Sequence, residues 1–379
     1  MSYVENKTTI YSDASKKHRE NKYLPSLDGL RAISILLVII SHAGLGNIIP
    51  GGLGVIVFFV ISGFLITKQM IDEVDSSGTL SLSGFYMRRV FRLMPALLFY
   101  LAVFVPILTI MGATITLTHV ASGLFYFANY YDIFIGYSEM SPMPILWSLS
   151  VEEHYYIVFP FIILMSAKNI KKLLPWLMVV VVIALIWKIL LYSACQSDSG
   201  LGICGLPDSK RWKGTDEMFD CILFGAITAI ALRYYKDITT KILINRTAFA
   251  LAIAGILLTL IIRNPEFRGT IRYSLQSIFS AIIIINVLFG DVNFIRGILS
   301  CQVAVYIGRI SYSLYLAHFG VLTVIVGCVG KDVDLHHNFL MYFILSFLGA
   351  SISYFFVEKP MIKVRRMFGS SVRPIGERQ

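Results

Sequence analysis

The sequence predicts an all-α, polytopic integral membrane protein with about ten transmembrane helices and both termini in the cytoplasm. Three observations predict it. Hydrophobic residues make up 56% of the 379 and charged residues only 15%, with a mean hydropathy of +0.72, far from the composition of ordinary soluble domains. Apolar runs of spanning length recur along the chain. Lys and Arg collect in alternate connections between those runs, as the positive-inside rule requires.

The apolar runs fall roughly at 27–45, 52–71, 92–112, 145–166, 173–193, 216–235, 247–263, 273–290, 303–328 and 338–357. Lys16, Lys17, Arg19 and Lys22 precede the first run, and Arg88, Arg89 and Arg92 follow the second. Lys168, Lys171 and Lys172 follow the fourth, and Arg233, Lys236, Lys241 and Arg246 separate the sixth from the seventh. Arg296 lies between the eighth and ninth, and Lys359, Lys363, Arg365 and Arg366 follow the tenth. With ten crossings every cluster faces the cytoplasm. An eleventh candidate, about 118–136, is short, aromatic and interrupted by Asn129 and Asp132. Counting it as a crossing would turn the later clusters outward, so it is predicted to be interfacial or re-entrant. Lys188, Arg263 and Arg268 near the outer side are the exceptions.

Residues 1–22 form a polar tail without a signal-peptide pattern, 23–357 one membrane domain, and 358–379 a basic tail. There is no repeat of fixed period, and any chemistry is expected inside the helical bundle. The net charge of +10 sits in the connections and forms no basic stripe with interleaved aromatics, which excludes nucleic acid as a partner. The five cysteines show no metal-ligand spacing, and no metal is expected. Cys195 and Cys204 bracket one loop and could pair if it faces an oxidising compartment; free thiols are the alternative.

Four segments hold residues able to do chemistry. In LDGLRAISILLVIISHAG, Arg31 and His42 stand eleven residues apart. That spacing puts both on one helix face, about 16 Å apart along the axis. A charged and a titratable group aligned this way avoid lipid and face protein or a wet cavity. His42 reads either as a core histidine or as a general base. Arg31 either pairs with Asp28 at i, i+3 or holds an anion. In FYMRRVFRLMP, residues 85–95, Arg88, Arg89 and Arg92 are either ordinary inner-face charge or a phosphate clamp, since guanidinium grips phosphate bidentately. In FFVISGFLIT, residues 58–67, Ser62 and Gly63 permit close packing or passage of a ligand. In WSLSVEEHYYIVFP, residues 147–160, Glu152 and Glu153 lie inside a spanning segment at a depth that allows contact with His42. Such a carboxylate would orient the imidazole; a structural pair with an arginine is the alternative. Asp216, Glu217 and Asp220 suit a helix N-terminus. Tyr312, Tyr315 and His318 form a polar stripe at i, i+3, i+6.

These elements together resemble acyltransferase family 3, the membrane-bound bacterial O-acyltransferases of surface glycans. The family's LDGLRAxxxLxVxxxH opening matches 27–42, FFxxSGFLI matches 58–66, and the arginine pair followed by proline matches Arg89, Arg92 and Pro95. WSLxxEExxYxxxP matches 147–160, GxISYxxYLxH matches Gly308 to His318, and VEKP lies at 357–360. Six elements in order are specific. The resemblance implies transfer of an acyl group, chiefly acetyl, from acyl-CoA to a sugar hydroxyl of a surface polysaccharide or lipid-linked glycan, in a bacterial inner membrane. His42 would be catalytic, with Arg31, Glu152 and Glu153 supporting it. Arg89 and Arg92 would bind the phosphates of the donor. The residues themselves add Arg88 and Ser62 as donor-binding candidates and Trp147, Tyr315 and His318 as acceptor-binding ones, with His318 alternatively supporting the site from behind. Two departures stand out. Residue 154 is histidine where relatives commonly have glutamine. Many relatives also carry an extracytoplasmic esterase-like domain after the helices, and none is seen here. The competing reading is a proton-coupled transporter using the intramembrane His and Glu, which has no particular need of an arginine clamp.

Overall fold

The computed structural model describes residues 23–196, 212–330 and 338–367. Among the described residues every regular element is a helix. In chain order these are α1 (Pro25–Ile40), α2 (Gly51–Ser77), α3 (Leu82–Ile110), α4 (Leu117–Leu124), α5 (Ala128–Phe134), α6 (Trp147–Met165), α7 (Leu173–Gln196) and α8 (Thr215–Tyr234). There follow α9 (Lys236–Leu243), α10 (Arg246–Ile261), α11 (Pro265–Gly269), α12 (Arg272–Phe289), α13 (Asn293–Leu299), α14 (Gln302–Arg309), α15 (Ser311–Val329), α16 (Phe339–Ser353) and α17 (Lys359–Met367).

Seven stretches are long and apolar enough to cross a membrane, and an eighth counts if α8 and α9, bent by 117°, form one span. The sequence reading counts two more, α6 and α10, which stay below this measure of length and apolarity for physical reasons. Helix α6 carries Glu152, Glu153, His154, Tyr155 and Tyr156 in succession, which dilutes its apolar character. Helix α10 has 16 residues, about 24 Å of helix against a hydrocarbon core of about 30 Å.

Contacts fix the relative directions of the central helices. Gly51 lies against Ser41 and Gly54 against the Ser34 carbonyl, so α1 and α2 are antiparallel. Ser62 meets Glu152 and Thr67 meets Tyr155, so α6 runs parallel to α2. A single return through α3 therefore leaves residues 111–146 on the side where α2 began. Within that segment, α4 and α5 have eight and seven residues, too short to span. The aromatic segment at 118–136 is thus broken into two helices that are each too short to span, in keeping with the reading from charge placement that it is not a crossing.

Very close packing joins α2 to α8. A Cβ at Gly63 would fall 2.0 Å from the Ile222 carbonyl oxygen, and one at Gly225 would fall 2.2 Å from that of Val60. Only glycine permits this approach, the usual route to close helix pairing where lipid supplies no hydrophobic drive.

A buried polar tie joins α7, α8 and α12. The Lys188 ammonium donates to both Asp220 oxygens at 2.8 and 2.9 Å and to Ser274 at 3.2 Å, while Ser274 donates to Asp220 at 2.5 Å. Lys188 is 3% exposed and Asp220 0%. Lys188 is therefore not a loop charge against the positive-inside pattern. Asp220 likewise is not a helix-end residue serving the dipole, as its place near the start of α8 suggests. Residues 1–22, 368–379 and Cys204 lie outside the described residues. The boundary placed at 357 falls inside a helix: the chain continues helically through Glu358, which is 7% exposed against α15.

Replacing Gly225 with valine should overpack the α2–α8 contact and cost about 1–3 kcal/mol. Thermal unfolding of the purified protein checks it. A lowered midpoint is expected; an unchanged one would mean the two backbones are not so close.

Candidate active site

Helix α1 carries Arg31 near its start and His42 just beyond its end. At Ser41 the backbone widens into a π-helical turn through Leu45, and Gly44 takes a φ of 94°. Glycine adopts that conformation without the Cβ clash other residues would suffer, and π turns recur at functional sites. The widened turn presents the His42 ring to neighbouring helices instead of continuing the α1 face.

Two cavities stack along the bundle. The first, of about 100 Å³, is lined by Arg31, Arg89 and Arg92, by Ser62, Glu152 and Tyr156, and by Tyr312 and Tyr315 among others. The second, of about 330 Å³, is lined by His42, Ser41, Gly51, Gly52, Trp147, Trp212, Lys213, Tyr273, Tyr315 and Phe319 among others. Their order along every contributing helix is the same. On α2 the second cavity takes Gly51 and Gly52, and the first takes Phe58 to Ile66; on α6 the second takes Trp147, and the first takes Glu152 and Tyr156. Val55 and Tyr315 line both. The two spaces thus lie one beyond the other with Val55 and Tyr315 between them, arginines around the first and His42 beside the second. The Tyr315 hydroxyl contacts Ser148 at 2.5 Å and donates to the Ile145 carbonyl at 3.0 Å, which holds its ring at the junction.

The arginine cavity is strongly cationic. Arg89 lies over the Tyr156 ring at 4.8 Å, held by cation–π attraction. Arg31 is only loosely engaged by Asp28, at 4.0 Å, because Asp28 accepts from the Tyr23 hydroxyl at 2.6 Å. Burial and that hydrogen bond push the Tyr23 hydroxyl up to about 12, so it remains a donor to Asp28 at neutral pH. Glu152 is the carboxylate lining this cavity, and it accepts from Ser62 and Tyr156 at 3.2 Å each. Ser62 and Gly63 divide the two roles that small residues allow: Gly63 packs against α8, and Ser62 faces the cavity.

Several expectations change. Glu152 does not contact His42; it belongs to the arginine cavity, and the ring beside His42 is His318, at 3.3 Å. The depth match between α1 and α6 is real, but the π turn carries His42 toward α15. Arg88 stays out of the cavity, because Glu73 at the end of α2 holds it at 2.7 Å while also accepting from the Ser81 amide at 2.9 Å. Glu153 lines neither cavity. His318 is fully buried and lines neither, so it does not face a substrate groove. Trp147 and Tyr315 do line the second cavity.

The sequence reading missed four contributors. Trp212, Lys213 and Tyr273 complete the His42 cavity. Lys213 is fixed by Asp132 of α5 at 2.6 Å, and Asn129 donates to Thr215 at 3.0 Å. His154, where relatives commonly have glutamine, contacts Thr215 at 2.7 Å and so helps hold the same segment. A Trp–Lys pair just before a helix was the available signal. The fourth is Glu358 of the VEKP element, hydrogen-bonded to Ser313 and within electrostatic reach of Arg92 and Arg31. No group of three or more potential metal ligands occurs among the described residues.

A family model described as an acyltransferase domain matches residues 24–358. The chain belongs to this acyltransferase family. It is 33% identical over 366 residues to a protein of Staphylococcus aureus (strain COL) named "Putative O-acetyltransferase", covering 92% of this chain and 58% of the relative. It is 30% identical over 359 residues to the O-acetyltransferase OatA of Staphylococcus aureus (strain NCTC 8325), covering 90% of this chain and 58% of the relative. The chain thus spans 58% of the length of these relatives. No solved structure matches it significantly.

If the cavities are stacked, Ser62→Cys and Gly52→Cys, in a background without the native free thiols, should react with a membrane-impermeant thiol reagent from opposite faces of sealed vesicles. Labelling of both from one face would contradict the arrangement.

Proposed function

We propose that the protein is a membrane-bound O-acyltransferase that moves an acyl group, acetyl, from acyl-CoA to a sugar hydroxyl of a cell-surface polysaccharide or lipid-linked glycan. The observation that carries the reading is the junction at Val55 and Tyr315 between an arginine-lined cavity and one containing His42. Coenzyme A has the matching shape: phosphates at one end and a thioester at the tip of a thin arm. Arg89 and Arg92, with Arg31, hold the phosphates by charge-assisted hydrogen bonds, and the arm runs past Tyr315 toward His42. Trp147, Trp212 and Tyr273 offer the acceptor sugar apolar ring faces, with Lys213 at the edge. Family membership and the names of the relatives support the reaction type.

In the direct route His42 takes the proton of the acceptor hydroxyl as its oxygen bonds to the thioester carbonyl carbon. The C–S bond then breaks, and the CoA sulfur leaves as the thiol with the proton carried by His42. An acyl-histidine route uses the same residue as nucleophile. The topology belongs to the same reading: ten crossings in a bacterial inner membrane, termini and arginine cavity at the cytoplasmic side, where acyl-CoA is made. The alternating basic clusters and the parallel course of α2 and α6 support it. A proton-coupled carrier would leave the arginine cavity without a purpose.

His42→Ala should fold and insert yet lose acyl transfer by at least about 10²–10⁴-fold, the contribution of a general base. Transfer of radiolabelled acetyl from acetyl-CoA in membranes tests it, and retained activity would remove His42 from the mechanism. Arg89→Ala with Arg92→Ala should raise the Kd for acyl-CoA by about tenfold or more; unchanged affinity would refute the clamp.

A further inference from the structure

The ring beside His42 is itself a histidine, and its bonding leaves one arrangement of protons. His318 Nδ1 lies 3.0 Å from the Leu314 carbonyl oxygen. A carbonyl only accepts, so His318 Nδ1 carries the hydrogen, and in the neutral ring Nε2 is left with a lone pair. That Nε2 lies 3.3 Å from His42 Nδ1. The contact is a hydrogen bond only if His42 Nδ1 carries its own hydrogen. His42 Nε2 is then the unprotonated nitrogen, and His42 lines the second cavity.

Resting on the acyl-transfer reading, we infer that His318 is a positioning residue that fixes His42 as the Nδ1–H tautomer and leaves Nε2 as the base or nucleophile for the second cavity. His318 cannot meet a ligand in either space, since it is 0% exposed and lines neither cavity. Its ring is confined by Tyr315 at 5.7 Å and by Phe319 at 6.3 Å between centroids. Phe319 also meets the edge of His42 at 5.9 Å and 77°. Among the described residues no carboxylate hydrogen-bonds either histidine. In many enzymes a carboxylate sets the tautomer of a catalytic histidine; here a neutral imidazole anchored to a backbone carbonyl takes that role, beside the Val38 carbonyl of α1, which also accepts from the His42 ring. When His42 Nε2 takes the acceptor proton, the Nδ1–H bond to His318 becomes charge-assisted and strengthens. His318 keeps its own hydrogen on Leu314 throughout, so no proton passes through the pair.

Nitrogen-15 NMR of histidine-labelled protein in bilayers reads the tautomer without any turnover. His42→Asn assigns the His42 signals by their loss. The expected result is a protonated, pyrrole-like Nδ1 and a bare, pyridine-like Nε2 in the native protein. His318→Leu should convert His42 to the other tautomer or a mixture. His318→Gln, whose amide can both accept from His42 and donate to Leu314, should restore the native pattern. A protonated Nε2 in the native protein, or an unchanged tautomer in His318→Leu, would overturn the assignment. If His318→Leu fails to fold, the native spectrum and the Gln variant still decide it. In the transfer assay His318→Leu should lower kcat by about a hundredfold, within the range a general base supplies, leave the KM for acetyl-CoA unchanged and be rescued by His318→Gln. Unchanged kcat would equally overturn the role. Failure of the native protein to transfer acetyl from acetyl-CoA would sink the acyl-transfer reading alone, because the NMR result stands apart from it.

Discussion

Charge inside an apolar bundle must be balanced, hydrated or used, and much of this structure follows from that constraint. The Lys188 ammonium is balanced: Asp220 and Ser274 surround it, and the three helices they belong to are tied together. Arg88 is balanced by Glu73 where α2 turns into α3. Arg31, Arg89 and Arg92 are arranged differently. They converge on one cavity with Glu152, and Glu358 lies within reach of two of them. Three guanidiniums around so small a space leave positive charge over, which suits an anionic ligand and gives the molecule a polarity along its axis.

The second consequence concerns distance. Arg31 lies in α1 and His42 in the π turn that follows it, which sets them about 16 Å apart along the axis. A ligand engaging both must be long and thin, and the space between them must be continuous. The shared lining of Val55 and Tyr315 makes the two cavities neighbours. The hydrogen bonds of Tyr315 to Ser148 and to Ile145 set the width at that level. A residue that touches both cavities and is bonded to the first turn of α6 is well placed to couple filling of one space to the shape of the other.

The helical, membrane-spanning character of the chain was readable from the sequence, because it rests on composition and on the length of the apolar runs. The interruptions at Asn129 and Asp132 fall where the aromatic segment forms only short helices. Arg31, Arg89, Arg92 and Glu152 each lie within a distinctive run, but the sequence set Glu152 beside His42, and that all four line one cavity is read only from the fold. Partners across helices were not legible either. Nothing local to Arg88 announces Glu73, and nothing in the first helix announces that Ser41 to Leu45 widens and turns His42 toward His318 instead of Glu152. The loop residues Trp212 and Lys213 were missed for a related reason: loops show no periodicity, and their place depends on Asn129, Asp132 and His154 of distant segments.

The decisive measurement is a structure of the protein with a stable thioether analogue of acetyl-CoA bound. The nucleotide phosphates should contact Arg89 and Arg92, the arm should pass Tyr315, and the atom replacing the thioester sulfur should lie within a few ångströms of the His42 ring. Phosphates in the cavity of Trp147 and Trp212, or an arm that ends away from the imidazole, would contradict the passage between the two cavities on which the mechanism rests.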